Sequence, residues 1–201
     1  MTAGTNSSAA VRDLVLIGVF AALLAVFSWI SIPTVIPFTL QTFGVFLALT
    51  LLGGKRGTLA ILVYLLLGAV GLPVFSGFTG GFGRILGTTG GYMVGFLAIG
   101  ILYILFEKLS AGERFRGKTG SCSRRTARRT LWEAITLILG LFICYAIGTA
   151  WFLFIYTGQN GAVSLGTVLG WCVFPFILPD LVKLALALAV GRRIRRSGLF
   201  L

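Results

Sequence analysis

Residues 174–183 read Phe174-Pro175-Phe176-Ile177-Leu178-Pro179-Asp180-Leu181-Val182-Lys183 and continue through the apolar Leu184 to Val190 into Arg192, Arg193, Arg195 and Arg196. An apolar run closed by a cluster of cations is a membrane-helix pattern. Asp180 reads as the one acid set well inside an apolar segment of the chain. Lys183 follows three residues later, so a helix puts both side chains on one face. Pro179 suits a first helical turn, which would place Asp180 in that turn, where the helix dipole favours a carboxylate. An ionisable side chain in a membrane helix costs about a few kcal/mol and turns to a partner or a cavity. Two readings follow: a pair that only neutralises itself, or a polar pair aimed at a ligand carrying both donors and acceptors.

The rest of the chain supports a membrane setting. Of 201 residues, 57% are hydrophobic and 11% charged, with a mean hydropathy of +1.01; a soluble domain is nearer a quarter charged. The apolar runs are long enough for helices rather than barrel strands. The first follows Arg12 and Asp13 and is too continuous for the apolar core of a signal peptide, so no cleavable signal is expected. The net charge of +12 does not point to nucleic acid, because the cations sit in short loops beside apolar runs and no soluble face remains to carry a basic stripe. Cys122, Cys144 and Cys172 are scattered and histidine is absent, which leaves no zinc or haem pattern. No phosphate-binding GxxxxGK[ST] motif occurs, so no ATPase is expected in this chain.

The fold class that follows is all-α and integral to the membrane: one domain over 1–201 with six spanning helices at about 11–30, 41–52, 58–72, 92–106, 131–156 and 171–190. In the first, Ala21 and Ala25 form a small-xxx-small pair that suits close helix contact, within the chain or with a second subunit. Pro33 and Pro37 keep residues 31–42 extended, with a helix cap at Thr39 or Thr42, and set Gln41 at the mouth of the second helix. Residues 73–91 are the most unusual stretch, with seven glycines, Phe75, Phe78 and Phe82 interleaved, and Arg84 as the single cation. Glycines there, Gly91 among them, permit close backbone approach to a ligand. Tyr92 and Gly95 share a helix face and could flank a ligand, although Tyr92 also suits an interfacial anchor. Glu107 to Thr130 reads as the main polar loop and Thr157 to Gly170 as an uncharged, glycine-rich one.

Six spans put every cation except Arg84 and Lys183 on one side, which the charge bias makes cytoplasmic, with both termini. The Glu107 to Thr130 loop reads first as a solvated loop, and could also meet anionic membrane lipid or an acidic partner surface. The loops at 33–41, 73–91 and 157–170 then converge on the opposite face with Asp180. That arrangement is a pocket open to the exterior, apolar and aromatic, with one acid and two cations. Asp180 can accept N–H donors, Lys183 can donate to a carbonyl, and Arg84 can hold a carboxylate. It suits a ligand with a urea-like or amide end, an apolar middle and an acid tail.

Five segments, in order, carry a resemblance to a known family: Pro37-Phe38-Thr39-Leu40-Gln41-Thr42, Gly53-Gly54-Lys55-Arg56-Gly57, Gly68-Ala69-Val70-Gly71-Leu72-Pro73-Val74-Phe75, Gly87-Thr88-Thr89-Gly90-Gly91-Tyr92 and Pro179-Asp180-Leu181-Val182-Lys183. Together, over roughly Val11 to Val190, they resemble the BioY family, the biotin-binding S components of energy-coupling factor transporters. The family often has proline at the position of Thr88. The resemblance implies the S-component fold and no enzymatic activity or cofactor. It implies biotin capture from the extracellular side of a bacterial-type plasma membrane, with Asp180, Lys183, Tyr92 and Gly95 at the ligand. It also implies a transmembrane coupling subunit facing Ala21 and Ala25, two ATPase subunits, and release inside by toppling. An S component for another vitamin is the alternative. An intramembrane enzyme is a remoter one, since its acid–base chemistry would rest on Asp180 and Lys183 alone.

Overall fold

The computed structural model describes residues 3–34, 36–114 and 122–196. Among them are eight helices and one small hairpin: α1 (Ala3–Trp29), β1 (Ser31–Ile32), β2 (Phe38–Thr39), α2 (Gln41–Leu52), α3 (Gly54–Val70), α4 (Phe82–Ile85), α5 (Gly90–Arg114), α6 (Cys122–Asn160), α7 (Leu165–Cys172) and α8 (Phe174–Arg196). The strands pair antiparallel, Ser31 with Thr39 and Ile32 with Phe38.

Four stretches are long and apolar enough to cross a membrane: Ser8–Trp29, Gly90–Ser110, Arg129–Asn160 and Leu165–Arg195, with Gln41–Leu52 as a shorter apolar helix. Their outward faces are apolar too. Leu14, Val19, Ile101, Leu139, Phe142 and Leu186 are all exposed, which fits hydrocarbon rather than water as the solvent.

Within the bundle α5 packs along α6, α2 along α8, and α1 against α3. The α2–α3 reversal needs a single residue, Gly53, whose φ of +81° is open to glycine and strained for other residues. The N–H of Gly54 donates to Glu107 Oε2 at 2.8 Å, so α5 satisfies the free end of α3. Asp13 and Arg56 pair at 2.9 Å between α1 and α3. These groups, with the end of α8, gather at one end of the bundle.

Several expectations are corrected. Asp180 is not the only acid enclosed by the fold: Glu133 is 1% exposed. Its carboxylate takes both terminal nitrogens of Arg195 at 2.9 Å, and Arg129 Nε at 2.9 Å. This bidentate pair joins α6 to α8 across 62 residues of sequence. Pro179 lies inside α8 rather than in its first turn; Pro175, at the second position of the helix, fills that role, and Asp180 stands a turn further in. The residues expected as a loop over 157–170 are mostly helical, since α6 extends to Asn160 and α7 begins at Leu165, capped by Ser164 Oγ accepting from Thr167 N–H at 3.2 Å. The expected polar loop from Glu107 is helical to Arg114 and again from Cys122; residues 115–121 lie outside the described residues. Ala21 and Ala25 are 2% and 5% exposed. They serve contacts inside the chain, because α1 turns that stripe toward the bundle; its outward stripe runs through Val15, Gly18, Val19, Ala22 and Val26.

Candidate functional site

The end of the bundle opposite the Asp13–Arg56 and Glu133–Arg195 pairs holds a cavity of about 700 Å³, counted out to its open mouth. The start of α2, residues 76–89, the start of α5, the middle of α6 and the first half of α8 all line it. The walls are mainly apolar, with Met93, Phe96, Leu141 and Phe176, and the polar groups are few and placed.

The densest polar group centres on Asp180, 2% exposed. Its Oδ1 accepts from Lys183 Nζ at 2.8 Å and from Thr42 Oγ1 at 2.9 Å, and its Oδ2 accepts from the Tyr145 hydroxyl at 2.6 Å. Lys183 also donates to the Thr39 carbonyl at 2.6 Å and to Thr42 Oγ1 at 3.1 Å, and its ammonium stands 4.3 Å from the centre of the Phe38 ring. All three ammonium protons therefore have acceptors within the chain. Phe38 stacks on Phe176 with centroids 5.7 Å apart. The pair is thus a clamp that fastens the β2–α2 junction to α8, with one acceptor site of the carboxylate to spare.

Gln41 is buried in the same wall, and its Nε2 donates to the Tyr64 hydroxyl at 2.9 Å. Its backbone N–H donates to Thr39 Oγ1 at 3.2 Å, which helps close the start of α2. Arg84, on α4, borders the cavity. Among the described residues it makes no ion pair and no side-chain hydrogen bond. With Asp180 and Lys183 cancelling, Arg84 leaves the lining one positive charge in excess. Tyr92 lines the cavity and shares a hydrogen bond with Thr149 at 3.3 Å.

Gly91 and Gly95 are placed elsewhere, on the α5–α6 seam. A Cβ at Gly91 would lie 2.3 Å from Trp151 Cβ, and one at Gly95 would lie 2.5 Å from Cys144 Sγ. Both glycines let α6 approach α5 closely, and so set the width of the cavity rather than its lining. Sequence reasoning missed Tyr145, Thr42, Cys144 and Cys172 as lining residues. Tyr145 could have been suspected as a polar residue within an otherwise apolar span.

The comparisons with known proteins agree on one family. The model of the BioY family matches residues 2–199. The chain belongs to the BioY family. Among its family relatives, the biotin transporter BioY of Thermotoga maritima is 40% identical over 187 residues, covering 92% of this chain and 96% of that protein. The probable biotin transporter BioY of Pyrococcus horikoshii is 38% identical, with the same coverage of both chains. Among solved structures, the S-component for biotin from an ECF-type ABC transporter matches with a TM-score of 0.74 at 26% identity, over 98% of this chain and 95% of that one. BioY proteins are transporter components, not enzymes. The apolar helices and this membership together make the chain a multi-pass membrane protein.

Proposed function

We propose that this chain captures biotin in the cavity and serves as the substrate-binding S component of an energy-coupling factor transporter in the plasma membrane. The observation that carries the reading is the match between cavity and ligand: an apolar chamber with a polar wall at Asp180 and a cation, Arg84, that has no ion-pair partner among the described residues. Biotin has the corresponding parts, a ureido head, an apolar thioether ring and chain, and a terminal carboxylate. Its ureido head rests against the wall that Asp180 and Lys183 build, Tyr92 covers the ring, and Arg84 takes the carboxylate.

α1, α5 and α6, the paired short helices α2 and α3, and the α7–α8 unit make a single domain of six spans. Both termini are cytoplasmic by the charge bias of the loops. The cavity then opens to the exterior. The transmembrane coupling subunit docks on the outward stripe of α1, where Gly18 and Ala22 stand one turn apart. A Cβ at Gly18 would meet nothing within 4 Å, so the surface admits a close helix. ATPase subunits supply the energy, since this sequence carries no phosphate-binding loop.

The test is retention of labelled biotin by the purified chain in detergent, challenged with excess unlabelled biotin, lipoate, thiamine or riboflavin. Displacement by biotin alone is the expected result. Displacement by another vitamin, or no retention at all, overturns the assignment of ligand.

A further inference from the structure

The polar side chains that line the cavity divide by segment. Those from α2, α5, α6 and α8 have partners within the chain: Thr42, Tyr145 and Lys183 close on Asp180, Gln41 meets Tyr64, and Tyr92 meets Thr149. Those from residues 76–89 differ. Ser76, Arg84 and Thr89 make no side-chain hydrogen bond and no ion pair among the described residues. No acid stands between Asp13 and Glu107 in the sequence, so nothing on this segment neutralises Arg84.

The backbone brings two of these three together. Past α4 the chain folds back in two tight turns. The Gly87 N–H donates to the Arg84 carbonyl at 3.3 Å, and the Gly90 N–H donates to the Gly87 carbonyl at 3.1 Å. A Cβ at Gly90 would lie 1.6 Å from the Ile85 carbonyl oxygen. The backbone just past Thr89 therefore rests against the backbone just past Arg84, an approach that only glycine permits. Trp151 Nε1 donates to the Gly87 carbonyl at 2.9 Å and fastens the double turn to α6.

Thr89 stands directly before α5, and its carbonyl accepts from the Tyr92 N–H at 3.1 Å. A threonine at that place commonly turns its hydroxyl onto a free N–H of the first helical turn. The Thr89 hydroxyl makes no such bond among the described residues, and the residue borders the cavity beside Arg84. The guanidinium offers a planar fork of N–H donors, and the hydroxyl adds an O–H. A carboxylate has acceptor sites for all of them. Resting on the reading of the cavity as a biotin site, we infer that Thr89 is a second binding residue for the ligand's carboxylate and holds it jointly with Arg84.

The experiment titrates biotin and biotin amide in detergent into wild type, Thr89→Val and Thr89→Ser. Thr89→Val keeps the branched shape and removes the hydroxyl. It is expected to weaken biotin by roughly ten-fold, the scale of one hydrogen bond to a charged group. Biotin amide should lose about three-fold or less, because its hydrogen bond is between neutral groups. Thr89→Ser, which retains the hydroxyl, should bind biotin within about three-fold of wild type. If Thr89→Val does not fold, Thr89→Ala is read in the same way. A hydroxyl-free variant that binds biotin as wild type does, an equal loss for acid and amide, or a Thr89→Ser protein as weak as Thr89→Val overturns the inference. If wild type fails to bind biotin, the reading of the ligand falls first. If wild type binds and the hydroxyl-free variant binds equally well, that reading stands and only the role of Thr89 falls.

Discussion

The Tyr145 hydroxyl lies 2.6 Å from Asp180 Oδ2 and ties α6 to α8 at the level of the cavity. With Thr42 and Lys183 on the other oxygen, the carboxylate joins three elements that converge from α2, α6 and α8. Removing Asp180 alone strands a buried ammonium. Asp180→Ala should therefore destabilise the protein by about 3–5 kcal/mol. The double variant Asp180→Ala/Lys183→Met should recover much of that, because it removes both charges. Thermal unfolding in detergent reads both. A double variant no more stable than the single would show that the pair does not act as a unit.

Glu133 offers a second test at the other end of the bundle. Its side chain is 1% exposed, whereas that of Arg129 is half exposed and that of Arg195 a quarter. Arg195→Ala should cost about 3 kcal/mol or more by breaking the bidentate pair, and Arg129→Ala less than about 1 kcal/mol. Biotin affinity should change little in either variant, since both lie far from the cavity. Equal costs for the two arginines would contradict the assignment.

Two glycines make a matched steric pair. A Cβ at Gly68 would fall 2.0 Å from Phe75 Cζ, while one at Gly170 would meet nothing within 4 Å. Gly68→Ala should expel the Phe75 ring, cost about 1–3 kcal/mol, and weaken ligand binding by loosening the segment that carries Arg84. Gly170→Ala, within α7, should be neutral or stabilise by up to about 1 kcal/mol. Unfolding and titration of the pair check both statements.

Arg84 can be tested by changing the ligand as well as the protein. Arg84→Gln should lower affinity for biotin about ten-fold, the scale of one charge-assisted hydrogen bond. It should leave affinity for biotin amide, which has no carboxylate, nearly unchanged. A parallel loss for acid and amide would move the carboxylate away from Arg84.

What could be read in the sequence was whatever depends on local pattern. Apolar runs closed by cations reveal spans, and the three-residue spacing of Asp180 and Lys183 places them together, as the 2.8 Å contact shows. Relations across the chain were not legible. Glu133 sits at the polar edge of its apolar run, and nothing local ties it to an arginine 62 residues away. Ala21 and Ala25 mark a close-packed stripe equally well whether it turns inward or outward, and only the packing of α1 on α2 and α3 decides that. Gly91 and Gly95 suit ligand approach and helix approach alike, and Trp151 and Cys144 fill the space beside them. Pro175 and Pro179 are both compatible with a helix start, and the helix begins at the earlier one.

The most direct measurement is isothermal titration of biotin into the purified wild-type chain in detergent, with no other subunit present. The account predicts a saturable heat with one biotin per chain. A titration without saturable heat, from protein shown to be folded and monodisperse, would contradict it.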